Sequence, residues 1–121
     1  MTQKFTILFD LDGTLINTAP DLMNAHNYVM KKYGFKEKNL SSIKKLAGRG
    51  SKTMLTRSLG DITKNNEFED KIDEITKEFI SYYSKNISNE STLKKGLLNF
   101  LSWCKKKSIS LGVCTNKPEH L

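Results

Sequence analysis

The chain opens on a continuous apolar run, residues 5–9 (FTILF), which stops at Asp10 and Gly13. Aromatic and β-branched residues massed without alternation predict a strand covered on both faces, central in a parallel sheet. The spacing then turns helical. Leu22, Ala25, Val29, Met30 and Tyr33 recur on one face after Thr18-Ala19-Pro20-Asp21. Thr18 reads as the N-cap, Pro20 belongs to the first turn, Asp21 lies near the positive end of the dipole, and Gly34 ends the run.

A short helix is expected over residues 41–47, followed by the loop Gly48-Arg49-Gly50 and a helix over 51–59 ended by Gly60. The clearest helical stripe runs over about 66–85, where Phe68, Ile72, Ile75, Phe79, Ile80 and Tyr83 share a face opposite Glu and Lys. From residue 93 a further helix, with Leu97, Leu98, Leu101, Trp103 and Cys104 as apolar positions, leads to the run ISLGVC at 109–114. That run reads as a second buried strand, ending in Thr115-Asn116-Lys117-Pro118.

The order is therefore strand, helical insertion, helix, strand, polar loop: an α/β chain. Residues 1–16 and 92–121 form a partial sheet core, and 17–91 an inserted helical block. Two parallel strands cannot bury themselves, so these residues alone leave a surface beside Phe5, Ile7 and Phe9 uncovered.

With 37% hydrophobic and 27% charged residues, the composition is that of a soluble globular protein. The formal charge of +7 comes mostly from scattered lysines. Only Arg49 and Arg57 carry the guanidinium suited to forked phosphate recognition, so a solvated surface is expected, not a nucleic-acid patch. Cys104 and Cys114 lack a metal-ligand spacing and are expected to be reduced and buried. The first apolar run is too short for a signal peptide and 97–104 far short of a membrane span, so a cytoplasmic location is expected.

Asp10 and Asp12 sit two residues apart and face one small volume beyond the strand's C-terminal end, where open α/β sheets bind ligands. Such a pair can divide its roles. One carboxylate stays ionised as nucleophile or metal ligand, while repulsion lets the other carry a proton. Unrelieved, each charge pair would repel an anionic substrate by roughly 4 kcal/mol at about 4 Å and an effective dielectric of about 20. A hard divalent cation such as Mg2+ removes that objection, since it favours carboxylate and phosphate oxygens. Gly13 permits a close turn, and its amide and those nearby are candidate donors to an oxyanion. Thr115 and Asn116 would add hydroxyl and amide donors.

Plainer readings stand beside these. Asp-Gly is a common turn pair. Arg49 is either a contact to substrate from a flexible tip or an exposed residue of an ordinary turn, and Lys117 either leans toward the phosphate or faces solvent. His26 and His120 read as ordinary residues.

The whole string, apolar strand plus Asp10-Leu11-Asp12-Gly13-Thr14-Leu15, resembles the first motif of the haloacid dehalogenase (HAD) superfamily. Val113-Cys114-Thr115-Asn116-Lys117 resembles its second motif, and the helical insertion lies where its helical cap would be. Asn17-Thr18-Ala19-Pro20-Asp21-Leu22 and Thr115-Asn116-Lys117-Pro118 are most similar to the phosphoglycolate phosphatase group within it.

The resemblance implies a HAD-like Rossmannoid parallel sheet, of which the first two strands are present, with an inserted α-helical cap. It also implies an Mg2+-dependent phosphatase of small phosphorylated metabolites such as 2-phosphoglycolate. Asp10 would be nucleophile and metal ligand, and Asp12 the acid and base, with its carbonyl on the metal. Thr115 would hold the transferring phosphoryl group with support from Asn116 and Gly13, and Arg49 would reach the substrate from the cap.

The resemblance covers the N-terminal half of the family pattern. A charge-neutralising Lys and an acidic Gly-Asp-type segment belong to the rest and are not among the 121 residues. An inactive or weakly active fragment is therefore expected. The alternative is a non-enzymatic half-domain that binds phosphate or metal or pairs with another polypeptide, with a Lys-rich nucleic-acid binder as the weaker rival.

Overall fold

Along the chain the elements are β1 (Thr6–Phe9), β2 (Ile16–Asn17), α1 (Ala19–Lys32), α2 (Leu40–Leu46), α3 (Ser51–Ile62), a 3-10 turn (Glu69–Lys71), α4 (Ile72–Lys85), β3 (Thr92–Leu93), α5 (Leu97–Lys106) and β4 (Ser110–Val113). They come from a computed structural model that describes residues 4–62 and 68–121. The expected helix start near Asn66 lies outside the described residues; from Ile72 on, that helix is α4.

β1 and β4 pair in parallel, with Ile7 opposite Leu111 and Phe9 opposite Val113. The ladder continues beyond both ends, since the Ser110 N–H donates to Phe5 O at 3.0 Å and the Cys114 N–H to Phe9 O at 2.7 Å. α5 makes the crossover between the layers, and Phe100 on it meets Phe9 edge to face at 5.9 Å.

Burial bears out the uncovered surface expected of two strands alone and corrects the expectation that each run is buried. Phe5 is 60% and Leu8 67% exposed, and Leu111 and Val113 also face water. Residue type tells what cover a strand calls for; among the described residues only α5 supplies any. Leu98, Phe100 and Trp103 on that helix are themselves exposed. An apolar groove of about 290 Å3 runs between Phe9, Leu111 and Val113 on the sheet and Leu97 and Leu101 on α5. Cys104 is buried as expected, whereas Cys114 is exposed because it follows the uncovered β4.

The dry core lies among the helices. Ala25, Val29 and Met30 of α1, Ile43 of α2, Leu55 and Leu59 of α3, and Ile75, Phe79 and Tyr83 of α4 are all essentially withdrawn from water. These are the positions that helical spacing stacks on one face of each helix. α4 forms the spine, with α1 and α3 packed on it.

Several boundaries differ from the sequence reading, each for a local reason. Thr18 is helical in backbone and makes no side-chain cap, because its hydroxyl bonds to Asp12 instead. α2 begins at Leu40 because Asn39 caps it, accepting from the Ser42 N–H at 2.9 Å. α3 runs through Gly60 to Ile62, so that glycine does not end it. Leu93 belongs to β3, and Gly96, at φ +83°, precedes α5.

The chain leaves and rejoins the sheet layer side by side. β2 and β3 form a two-residue antiparallel ribbon, with Ile16 opposite Leu93 and Asn17 opposite Thr92. Asp21 secures the same junction: it is buried and accepts from the Glu90 N–H at 3.0 Å and the Ser91 hydroxyl at 2.6 Å. It thus bonds to a loop distant in sequence rather than serving only as a first-turn acid. His26 is also buried, with Nε2 2.6 Å from the Ser58 hydroxyl and Nδ1 2.8 Å from Asn27 Oδ1. No helix among the described residues is long and apolar enough to cross a membrane.

Candidate active site

Because β1 and β4 are parallel and in register, the segments after Phe9 and Val113 leave the sheet from the same edge. The β1 segment folds into a tight loop around Leu11, whose carbonyl accepts from the amides of Thr14, Leu15 and Ile16. Gly13 takes φ +79°, a conformation that costs other residues roughly 1–2 kcal/mol. The Gly13 N–H donates to Ile16 O at 2.8 Å. In this structure these loop amides are therefore committed to the loop, unlike the oxyanion donors expected of them.

Asp12 is the centre of the arrangement. Its Oδ1 accepts from the Thr18 hydroxyl at 2.8 Å and from the Lys117 ammonium at 2.8 Å. The side chains of Lys117 and Asp12 are only 7% and 11% exposed, so this is a largely desolvated ion pair. The same Lys117 Nζ lies 2.6 Å from the Tyr83 hydroxyl and 4.8 Å from the centroid of its ring. Of its two sequence readings, Lys117 follows the one that turns it toward the site.

Burial works to lower the Lys117 pKa, but the hydrogen bonds to Asp12 and Tyr83 outweigh it and hold the ammonium above its ordinary value. Burial pushes the Tyr83 phenol up, with the bond to Lys117 partly offsetting the shift. Lys117 is thus a cation and Tyr83 a neutral phenol near neutral pH.

Around these residues lies a small cavity of about 30 Å3, lined by Asp12, Gly48, Gly50, Ser51, Tyr83, Thr115, Asn116 and Lys117 among others. The Thr115 hydroxyl oxygen accepts the Lys117 N–H at 3.1 Å, which leaves its own proton available to an acceptor. Asn116 reaches across to the helices, its Nδ2 donating to Gly48 O at 2.8 Å.

The structure therefore gathers Asp12, Thr115 and Asn116 around one cavity. Asp10, at the same strand end, is exposed, does not line the cavity and accepts the Leu11 N–H at 2.8 Å. Gly13 shapes the loop from outside the cavity. Arg49 is exposed and off the cavity wall, although both glycines flanking it line that wall.

Tyr83 and Thr18 escape a reading by periodicity. Tyr83 stands on the apolar stripe of α4 and counts as core, while Thr18 precedes a helix and counts as a cap. The only signal for Tyr83 is its residue type, an apolar ring with a polar tip that calls for a partner when buried.

The donors suit a hard cation. Magnesium typically takes one or two protein carboxylates and completes its shell with water and phosphate oxygens. The exposed Asp10 carboxylate fits that role, whereas the Asp12 carboxylate is turned to Lys117. Among the described residues no cluster of three or more His, Cys, Asp or Glu is present.

Comparison with known proteins places these features in a family context. A family described as haloacid dehalogenase-like hydrolase matches residues 7–120. A phosphoglycolate phosphatase of Caulobacter vibrioides is 34% identical over 116 residues, covering 96% of this chain and 48% of the relative. A Haemophilus somnus crystal structure, described as a predicted phosphoglycolate phosphatase, superposes with a TM-score of 0.85 at 32% identity over 98% of this chain and 54% of that one. A Lactobacillus delbrueckii structure described as a putative phosphoglycolate phosphatase shares the fold, with a TM-score of 0.87 at 24% identity over 96% of this chain and 56% of that one. The chain spans about half the length of the curated relatives it matches.

Proposed function

The chain belongs to the haloacid dehalogenase-like hydrolases, and from that membership we propose that it carries the nucleophile-bearing part of a cytoplasmic, Mg2+-dependent phosphatase of small phosphorylated metabolites such as 2-phosphoglycolate. In this reading residues 17–91 are the helical cap, and residues 1–16 and 92–121 are the catalytic core. The observation that carries it is the in-register parallel pairing of β1 and β4, which sets Asp10 and Asp12 at the same sheet edge as Thr115.

Reaction begins at Asp10. One of its carboxylate oxygens attacks phosphorus, the bond from phosphorus to the leaving alcohol oxygen breaks, and Asp12, which must be released from the Lys117 ammonium and protonated for this step, delivers a proton to that oxygen. An aspartyl phosphate remains on Asp10. Asp12, now ionised, takes a proton from water as the water oxygen attacks phosphorus. The bond to Asp10 breaks, releasing inorganic phosphate and restoring the Asp12 acid. The Thr115 hydroxyl donates a hydrogen bond to a phosphoryl oxygen. Asp10 and the Asp12 carbonyl would hold the magnesium ion, which when bound neutralises charge on the phosphoryl oxygens.

The test is phosphoryl transfer itself. After incubation with Mg2+ and phosphoglycolate or acetyl phosphate, mass spectrometry should find one added phosphoryl group on the peptide containing Asp10, labile to hydroxylamine and absent in Asp10→Asn. A phosphoryl group found on another residue, or one retained in Asp10→Asn, sinks the reading.

The uncovered sheet favours a second reading, in which the chain is a half-domain that pairs with a polypeptide supplying further strands. Exposed Phe5, Leu111 and Val113 on one face of the sheet and Leu8 on the other are apolar positions of the kind that mediate association. Light scattering that shows a soluble monomer with no tendency to associate would remove it.

A further inference from the structure

Lys117 carries a nearly buried ammonium with one donor to spare. Its Nζ meets Asp12 Oδ1 at 2.8 Å and the Tyr83 hydroxyl at 2.6 Å. An ammonium has three N–H groups. Among the described residues, therefore, one of them has no acceptor in the protein. With 7% of the side chain exposed, Lys117 lines the cavity shared with Asp12, Thr115 and Asn116.

We propose that Lys117 contacts an anionic oxygen of the bound phosphomonoester and that Tyr83 is the positioning residue that holds it for that contact. This rests on the reading of the Asp10, Asp12 and Thr115 end of the sheet as a phosphoryl site. Three observations support it. The Lys117 backbone N–H bonds to Thr115 Oγ1 at 3.1 Å, so an oxygen held by the Thr115 hydroxyl sits beside the same short segment.

The Asp12 carboxylate alone would repel a phosphate dianion, and the ammonium on it cancels that charge at the wall the ligand meets. Tyr83, finally, comes from α4 at the centre of the helical core, and its ring also lies under the ammonium at 4.8 Å. The lysine stem is thereby fixed from the helical side while its head reaches the sheet side. When a ligand draws the ammonium from Asp12, the Thr18 hydroxyl still holds the carboxylate in place.

The experiment titrates inorganic phosphate into the full chain by calorimetry, with lysine ε-carbon labelling to follow Lys117 by NMR. Wild type should bind, and Thr115→Val should bind more weakly. Lys117→Met should lose about tenfold or more in affinity, as expected for a hydrogen bond from a charged donor. Lys117→Arg should recover part of that loss. Tyr83→Phe should lose less than Lys117→Met while its circular dichroism stays that of wild type. The Lys117 signal should shift with phosphate in wild type and far less in Thr115→Val.

If Thr115→Val weakens binding but Lys117→Met equals wild type, the Lys117 assignment is overturned and the phosphatase reading stands. If wild type binds no phosphate, both fall. Should Lys117→Met fail to fold, an unmoved Lys117 signal in phosphate-bound wild type overturns the assignment by itself.

Discussion

Lys117 and Asp12 meet at 2.8 Å with almost none of either side chain in water, joining the loop after β4 to the loop after β1. Removing one partner from such a pair leaves a charge without compensation in a desolvated place. Lys117→Ala should therefore cost about 2–4 kcal/mol of folding stability. Urea denaturation checks it, and a loss below about 0.5 kcal/mol, the range of an ordinary surface change, would contradict the pairing.

Asp21 bonds three ways to the 90–91 segment from the first turn of α1. Asp21→Ala removes these acceptors while the Glu90 amide keeps its need for one, so a loss of about 2–3 kcal/mol is expected. Asp21→Asn, which retains one acceptor oxygen, should lose less. Equal stability of the two variants would place the contribution in packing instead.

His26 predicts a pH dependence. Burial lowers its pKa below the ordinary 6.5, with the Asn27 contact opposing the shift and the Lys38 charge adding to it. The unfolded chain then binds a proton more readily than the folded one. Stability is full above about pH 6.5 and declines as pH falls below it toward the lowered folded value. Thermal melts across that window should show the midpoint falling with acidity. In His26→Gln the fall should be visibly smaller, and an identical pH profile would exclude His26 as its source.

A Cβ placed on Gly112 would lie 2.8 Å from Leu8 Cδ2. The clash falls on the tip of a side chain that is 67% exposed and free to turn aside. Gly112→Ala should hence change stability by no more than about 0.5 kcal/mol. A large loss in chemical denaturation would mean that Leu8 is pinned.

The 121-residue chain alone should turn over p-nitrophenyl phosphate or phosphoglycolate with Mg2+ slowly or not at all. Among the described residues its site has only Asp10 and Asp12 for metal and acid–base work together, and Asp12 is held in an ion pair with Lys117. Robust steady-state hydrolysis that disappears in Asp10→Asn would refute this.

Much of the molecule was legible in residue order. Apolar spacing marked the helices α1 and α4, and the acids after the first apolar run located the C-terminal end of β1. The strand count foretold an uncovered surface beside Phe5, but residue type could not say which positions would carry it, because it states a requirement and not its fulfilment; hence Leu8, Leu111 and Val113 read as buried and lie open. The link from Lys117 to Tyr83 was hidden for another reason. It joins a loop to a helix position that periodicity assigns to the core, and no spacing rule spans that separation.

The β2–β3 ribbon carries a consequence for engineering. Asn17 and Thr92 are hydrogen-bonded ladder partners, so the ends of everything between them are already a hairpin's width apart. A two-residue Asn-Gly turn is geometrically sufficient to rejoin them. The helices could be excised and the shortened strand–turn–helix–strand chain closed on itself, leaving Asp10 and Thr115 on a scaffold open to solvent.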